Sequence, residues 1–461
     1  MTKTIKIANA QAFWGDRGEA SSELLEKQPD LDYLTLDYLS EVSLSIMAVQ
    51  REKDSQAGYA KDFIEVVKSL VPFWKNGSKV KVVTNAGGLN PRNCAEACMA
   101  ALKQAGQHSL KIAIVFGDDV VGTIKKDATN PSFQNLETKQ PISDILERLT
   151  TANAYIGAKP IVEALQLGAD IVITGRIADP SMVVAPCVAH FGWSWTDYDR
   201  IAQATVAGHL IECGTQVTGG IYTDWLDLEE NAAIGFPIVE IDQEAIFCVT
   251  KPENTGGEVT VNIVKEQLLY EIGDPDAYLS PDATVSLLSL CLEQAGKDRV
   301  LVTGAKGKAP PNSYKVSATY RDGYRAEGML AIFGRNCETK ARRCGEIILS
   351  RMQNKGFTPQ KYQVECLGCG DVVTGIKPFE DGFKERVEAL ECVLRVCVAD
   401  ARIEALEYFS RQMAPLVTSG PAGTTGYTTG RPHIRPVFGY WPCLIETSRV
   451  VPIVELLEVA K

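Results

Sequence analysis

His209 and Glu212, three residues apart in the chain, form the pair best suited to proton transfer. On a helix, a separation of three residues places both side chains on one face. A histidine and a carboxylate held together in this way can act as general acid and base, or as two ligands of a metal ion. The alternative is a structural histidine held by a neighbouring carboxylate, and the sequence leaves both interpretations open.

Further candidates for proton transfer are aspartates that follow predicted strands. Asp118 and Asp119 stand side by side after a strand that ends at Phe116, where paired acids suit a hard cation such as Mg²⁺ or a general base. Asp16 lies in a glycine-containing loop after the opening strand. The competing interpretation makes Asp118 and Asp119 solvated turn residues. The sequence therefore allows a divalent cation but assigns it no ligands.

A glycine-rich loop after the strand predicted over 79–84 indicates an anion site. Gly87 and Gly88 let backbone N–H groups approach a ligand closely, and Asn85 adds a polar side chain. Asn90 is the predicted N-cap of a helix that begins at the next residue, a proline, and a helix N-terminus favours a phosphate or carboxylate. A plain turn between strand and helix is the alternative.

Arginines complete the candidate substrate-binding set. Arg176 and Asp179 precede a predicted helix start, where an arginine fork can bind a carboxylate or phosphate, unless Asp179 is only an N-cap and Arg176 a surface residue. Arg17 follows the opening strand. Arg431 belongs to a Gly/Thr/Arg loop over 419–435 that can cover an anionic ligand, with a disordered linker as the competing interpretation.

Alternating strands and helices must position these residues. Helical spacing of apolar residues over 63–74 is followed by the strand at 79–84, and a helix over 91–105 leads to a strand at 111–116. A third unit ends with the strand at 170–174. This rhythm predicts a parallel sheet with helices on both faces, and ligands bind at the carboxyl edge of such sheets. We expect the candidate loops to meet there.

The rhythm changes after residue 235, which divides the chain into a predicted α/β domain (1–235) and an α+β domain (236–461) with a mixed or antiparallel sheet. In the second part, Asp322-Gly323 predicts a hairpin turn. Alternating apolar residues over 390–398 predict a half-buried strand.

Composition narrows the classes of function. The 461 residues include 45% hydrophobic and 23% charged residues, as in folded globular proteins. A net charge of −11 argues against a broad nucleic-acid surface. We find no signal-peptide pattern and no apolar run of about 18 residues that would predict a membrane span. An odd set of 13 cysteines indicates a reducing compartment, the cytoplasm or an organelle matrix.

Cofactor fingerprints are missing from the sequence. Neither the Gly-x-Gly-x-x-Gly spacing of dinucleotide sites nor the Walker spacing occurs, so nothing calls for NAD, FAD or ATP. Redox chemistry is therefore the weaker enzymatic option.

Several segments together resemble one family. The chain is similar to the acyclic terpene utilisation protein AtuA family in stretches that span most of its length: 13–17, 31–41, 50–51, 84–91, 153–158, 173–180, 212–214 and 271–275. The resemblance implies a role in the catabolism of branched isoprenoid acids as CoA thioesters. It carries no assignment of catalytic residues.

These observations lead to two hypotheses. In the first, the protein is an enzyme that acts on a carboxylate or CoA thioester by hydration, carbon–carbon cleavage or isomerisation. In the second, it is a non-catalytic acyl-CoA-binding subunit of a larger carboxylase or hydratase assembly. A homo-oligomer or a partner subunit is expected in either case.

Overall fold

The computed structural model describes residues 4–228, 231–372 and 389–458. The chain divides into two compact units, one formed by the residues up to Thr319 together with those from Tyr440 onward, the other by Tyr320–Gly439. The division predicted at residue 235 does not coincide with these limits. The strand just after it pairs with the first strand of the chain, with Ile5 opposite Ile241, so both belong to one sheet.

The described residues form nineteen strands and twelve α-helices. The strands are β1 Thr4–Asn9, β2 Tyr33–Leu36, β3 Lys81–Thr84, β4 Lys111–Phe116, β5 Leu149–Ala154, β6 Ile171–Thr174, β7 Ile238–Asp242, β8 Phe247–Thr250, β9 Tyr278–Leu279, β10 Thr284–Ser286, β11 Cys291–Gly296, β12 Arg299–Thr303, β13 Lys306–Lys308, β14 Ser313–Phe333, β15 Lys361–Leu367, β16 Glu391–Asp400, β17 Thr424–Tyr427, β18 Arg435–Glu446 and β19 Ile453–Glu458. The helices are α1 Ala20–Lys27, α2 Ser43–Lys53, α3 Phe63–Lys75, α4 Pro91–Gln104, α5 Val121–Lys126, α6 Lys159–Gln166, α7 Ser181–Phe191, α8 Tyr198–Glu212, α9 Val261–Leu269, α10 Cys337–Asn354, α11 Ile403–Ser410 and α12 Leu416–Ser419.

A ten-stranded sheet forms the centre of the first unit, in the order β11-β12-β8-β7-β1-β2-β3-β6-β4-β19. Five neighbouring strands, β1, β2, β3, β6 and β4, run parallel to one another. On one side β7 pairs antiparallel with β1, and on the other side β19 pairs antiparallel with β4. Every residue of β2 and β6 is buried, which requires that both faces of the sheet are covered. The predicted α/β class is confirmed, with a mixed sheet.

The helices predicted from apolar spacing and from the Asn-Pro start are both present, as α3 and α4. The apolar stripe of α3 is buried from Phe63 to Trp74, and the Trp74 indole donates to the carbonyl of Val80 at 3.0 Å. Asn90 caps α4 as expected, because its side chain accepts from the N–H of Asn93 at 3.3 Å and a proline occupies the first helical position.

The second unit contains the antiparallel strands β15, β16, β14 and β17, in that order. Alternate residues of β16, among them Leu394, Val396 and Val398, point into a core shared with Ile348 of α10 and Phe409 of α11. The half-buried strand predicted over 390–398 is confirmed.

The hairpin predicted at Asp322-Gly323 is wrong. Residues Ser313–Phe333 form one continuous strand, with Tyr324 opposite Asp400. Gly323 has a φ of 81°, and a Cβ there would lie 2.7 Å from the carbonyl oxygen of Asp400. The glycine is required by this close approach within a strand, and not by a reversal of the chain.

Across the described ranges, every helix is too short or too polar to cross a lipid bilayer.

Candidate functional site

Buried polar side chains follow all five parallel strands of the first unit, where each strand ends. They are Gln11 after β1, Asp37 after β2, Asn85 after β3, Asp118 after β4 and Arg176 after β6. Because these strands are parallel neighbours, their carboxyl ends share one edge of the sheet. The expectation that the candidate loops meet at this edge is confirmed for Asn85, Asp118 and Arg176.

Arg176 is fully buried, with only 1% of its surface exposed, so the surface interpretation is wrong. Its Nη1 donates to the carbonyl of Leu39 at 2.6 Å, its Nε to that of Ile177 at 2.7 Å, and its Nη2 to the carboxylate of Asp179. The guanidinium also lies 4.4 Å from the centre of the Tyr155 ring. Asp179 therefore pairs with Arg176 and does not cap the following helix.

Asp37 and Asn85 form a second buried contact beside it. The Asn85 amide donates to Oδ1 of Asp37 at 2.7 Å and accepts from the N–H of Tyr38 at 2.7 Å. Burial raises the pKa of the Asp37 carboxyl, and the nearby positive charge of Arg176 opposes this effect. Asn85 thus holds a carboxylate of the protein, and is already engaged before any ligand binds.

Asp118, which follows β4, is a buried carboxylate with its own hydrogen-bond donors. Its Oδ2 accepts from the N–H of Arg176 at 2.8 Å and from the Asn153 amide at 2.7 Å. Burial raises the pKa of Asp118 to about 6, although these hydrogen bonds act in the opposite direction. Because Oδ2 already accepts two hydrogen bonds, the proton of the acid form belongs on Oδ1.

A cavity of about 340 Å³ opens beside this carboxyl. Asp118, Asp119, Asn153, Asn90 and Arg92 contribute its polar lining. Its apolar lining comes from Leu89, Pro91, Ile114 and Phe116.

Asp119 also lines an adjoining cavity of about 260 Å³. Its side chain accepts from the N–H of Val121 at 3.0 Å, at the start of α5. The two neighbouring acids thus have different environments, since Asp118 is buried and Asp119 is exposed.

Asn153 contributes an unusual feature to the cavity wall. Its side chain is 1% exposed, and its Oδ1 is buried without a hydrogen-bond partner among the described residues. A buried amide oxygen without a partner is costly and requires an explanation, such as a ligand or water that supplies the missing donor.

Gly87 is required by packing, because a Cβ there would lie 2.5 Å from the carbonyl oxygen of Thr174. Gly88 is favoured by its backbone, which has a φ of 51° in the left-handed region. The N–H groups of Gly88 and Asn90 donate within the loop itself. The loop therefore does not form the backbone anion cradle suggested by its glycines, although Gly88 and Asn90 do line the cavity.

His209 and Glu212 do contact each other on α8. Nδ1 of His209 lies 3.1 Å from Oε1 of Glu212, and Nε2 lies 3.2 Å from the carbonyl oxygen of Leu268. Burial lowers the pKa of the His209 imidazole, but the hydrogen bond and charge of Glu212 outweigh it, so the net direction is upward. Burial raises the pKa of Glu212, and His209 opposes that effect.

The histidine pair lies near the sheet edge but outside the cavity lining. Asn9, the last residue of β1, donates to the carbonyl of Glu212 at 2.9 Å. The charge of Asp37 further raises the pKa of Glu212, as is expected of a nearby carboxylate. His209 is 3% exposed, and both of its ring nitrogens are engaged. These contacts support a structural contribution, while a catalytic role for the pair stays a prediction.

Three predicted site residues lie elsewhere. Asp16 accepts from the N–H of Ala12 at 3.0 Å and stabilises its own loop. Arg17 is exposed and pairs with Glu23 at 2.8 Å. Arg431 belongs to the second unit and lines a cavity there.

The sequence reasoning missed three residues of the site. Asp37 directly follows the short buried strand β2, and that position was the available signal, whereas Asn153 is the second-last residue of β5, whose polar sequence gave none. Arg92 is the second residue of α4, where a cation opposes the helix dipole, and this unfavourable placement could have drawn attention to it. Its guanidinium pairs with Glu455.

The described side chains do not form a recognisable metal site. Over 4–228, 231–372 and 389–458, no group of three or more His, Cys, Asp or Glu side chains is arranged to hold a metal ion. A divalent cation such as Mg²⁺ stays a prediction, and at the cavity it would combine carboxylate with amide or water oxygens.

Comparison with known proteins gives one match. The family model described as "Acyclic terpene utilisation family protein AtuA" matches residues 5–456 of the 461. No curated protein and no solved structure matches.

Proposed function

The chain belongs to the acyclic terpene utilisation (AtuA) family, and we propose that it is an enzyme that moves a proton to or from a branched carboxylic acid or its CoA thioester. Asp118 is the general acid or base. Hydration, carbon–carbon cleavage and isomerisation of such substrates all require this step. The observation that carries the proposal is the buried Asp118 carboxyl at the wall of the cavity, with its pKa raised to about 6.

The environment of Asp118 suits proton transfer near neutral pH. A catalytic group is most effective when its pKa lies close to the working pH, and burial brings an aspartate towards that range. The N–H of Arg176 and the Asn153 amide fix the orientation of the carboxyl. Asn153 thus positions the carboxyl, and its Oδ1, which has no hydrogen-bond partner among the described residues, accepts a hydrogen bond from the substrate or from an attacking water.

The cavity lining supports the proposed class of substrate. Leu89, Ile114 and Phe116 offer an apolar wall for a branched hydrocarbon group, while Arg92 offers a cation for the carboxylate of a free acid. Because Arg92 pairs with Glu455, a substrate anion has to compete with that carboxylate. The family description, which refers to acyclic terpenes, favours a branched acyl group.

Solvent deuterium exchange tests the proposal whichever of the three reactions the enzyme performs, because each of them includes the proton transfer. The protein is incubated in D₂O with 3-methylbut-2-enoyl-CoA or with the free acid, and deuterium in the acyl group is measured by mass spectrometry. We expect incorporation at a rate that depends on ionisation with an apparent pKa of about 6. Asp118→Asn should lower the rate by about 10²- to 10⁴-fold.

The matched control is Asp144→Asn, which removes an exposed carboxylate outside the cavity and should leave the exchange rate unchanged. Equal rates for the Asp118→Asn variant and the unaltered protein would remove Asp118 from the mechanism. A chain that binds the thioester, shows no exchange and copurifies with a stoichiometric partner would instead support the non-catalytic subunit hypothesis. Adding Mg²⁺ or EDTA to the same assay tests the predicted cation.

A further inference from the structure

The unit formed by Tyr320–Gly439 has a cavity of its own, of about 400 Å³. Its floor is one face of the sheet formed by β14, β15 and β16, and its other wall comes from the segment 429–435. The opposite face of this sheet packs against α10 and α11 in the core of the unit. The cavity thus lies on the sheet face that the helices leave uncovered.

The strand register brings two cations to either side of a small residue. Arg325 of β14 and Lys361 of β15 are both paired with Ala399 of β16, one on each side. Directly paired residues point to the same face of a sheet, and neighbouring strands lie about 4.8 Å apart. The methyl group of Ala399 leaves room above it, so the two long cationic side chains flank an open space.

Glu327 and Glu365, the carboxylates on this face of the sheet, both pair with Arg395. Arg395 donates to Glu327 at 3.0 Å and to Glu365 at 2.9 Å. Arg325 and Lys361 form no ion pair within the described parts of the chain, and the same is true of Arg431 and Arg435.

The cavity therefore has an excess of positive charge in an acidic protein. Five permanently cationic side chains and one carboxylate line it. Glu365 lies outside the lining but pairs with Arg395, so it is counted as a second negative charge. The cavity then has three positive charges in excess. The whole chain has a net charge of −11. Like charges gathered without partners are unfavourable unless an anion neutralises them.

We propose that this cavity binds the phosphate groups of a small nucleotide-type molecule. Several cations on different walls suit a multiply charged phosphate better than a single carboxylate, and the arginine fork matches phosphate oxygens. The volume is typical of small-molecule sites. A long nucleic acid is disfavoured by the overall negative charge, which repels a polyanion beyond the cavity. This inference is independent of the proposed function, because it involves other residues in the other unit.

Titration calorimetry on the full chain tests the proposal. The probe is adenosine 3′,5′-bisphosphate, the phosphorylated part of CoA, and adenosine without phosphate is the matched ligand control. We expect saturable binding of the bisphosphate with a Kd below about 1 mM, weaker binding at higher salt, and no binding of adenosine. ATP and inorganic phosphate as further ligands show whether the site selects CoA-type phosphates or any phosphate.

Variants connect the binding to the cavity. Arg325→Gln and Arg431→Gln should each weaken binding about tenfold, the effect of losing one charge-assisted hydrogen bond. The matched control Lys355→Gln removes an exposed cation of the same unit, outside the cavity, and should change the Kd less than twofold. Circular dichroism and the melting temperature establish that each variant is folded.

Three results would overturn the proposal. The first is no binding of any phosphate compound at millimolar concentration. The second is binding that neither Arg325→Gln nor Arg431→Gln weakens. The third is binding of a ten-nucleotide RNA far more tightly than the bisphosphate, with loss in the same variants, which would assign the surface to nucleic acid. Asp118→Asn should leave bisphosphate binding unchanged, so a failure here is distinguishable from a failure of the proposed catalytic site.

Discussion

Replacing Asp118 by asparagine removes a buried carboxylate while keeping the size of the side chain, and the effect on stability should depend on pH. Burial raises the pKa of Asp118 from its ordinary value of 3.8 to about 6. The folded protein therefore holds this proton more tightly than the unfolded chain does. Protonated Asp118 therefore stabilises the folded state fully below about pH 4, and this stabilisation is lost as the pH rises through about 6.

The size of the effect follows from the two pKa values. They differ by about two pH units, and each unit corresponds to about 1.4 kcal/mol, so the ionised carboxylate costs the folded state about 3 kcal/mol above pH 7. Asparagine avoids this cost. For a unit of this size, about 3 kcal/mol raises the melting temperature by roughly 4 °C, from an unfolding entropy of about 2.1 cal/mol/K per residue.

The assay is a series of thermal melts between pH 4 and pH 8 for the unaltered protein and for Asp118→Asn. We expect a difference close to zero at pH 4 that grows to roughly 4 °C at pH 7.5. Asp144→Asn is the matched control, because it removes an exposed carboxylate that is not among the groups acting on the pKa of Asp118. A difference that stays constant with pH, or a variant that melts lower at pH 7.5, would refute the burial argument. A variant that is more stable but inactive would show that the site trades stability for function.

Three further substitutions test other contacts. His209→Ala leaves Glu212 buried without its partner and should lower the free energy of unfolding by about 3 kcal/mol in urea titrations; a loss of deuterium exchange as large as that of Asp118→Asn would restore His209 to the mechanism. Arg176→Lys cannot reproduce the separate hydrogen bonds to Leu39 and Ile177 and should cost about 2 kcal/mol, so an unchanged urea midpoint would contradict the buried network. Gly175→Ala places a methyl group within 2.4 Å of Oδ1 of Asp118, and we expect slower exchange and a loss of about 1 to 3 kcal/mol. Gly122→Ala is its control, with no atom within 4 Å of the added methyl group, and equal effects of the two alanines would disprove the steric argument.

Local patterns predicted much of the fold because their physical cause is local. The apolar spacing of α3 and the Asn-Pro start of α4 need only the chain near them, and both elements formed as expected. The hairpin at Asp322-Gly323 failed because the same dipeptide also fits a close approach to a neighbouring strand, and that strand is about 80 residues away in the chain. The position of β7 beside β1 was likewise invisible to local composition.

The sequence by itself determined that polar loops would gather at one edge of a parallel sheet, since strand direction and alternation place them there. Only the tertiary structure decided which side chains of these loops can reach a ligand. It buried Arg176 among carbonyls and carboxylates, engaged both nitrogens of His209, and left Asp118 beside an open cavity. Burial and desolvation arise from residues far apart in the chain, so the pKa of a side chain and its access to a ligand become defined when the fold is complete.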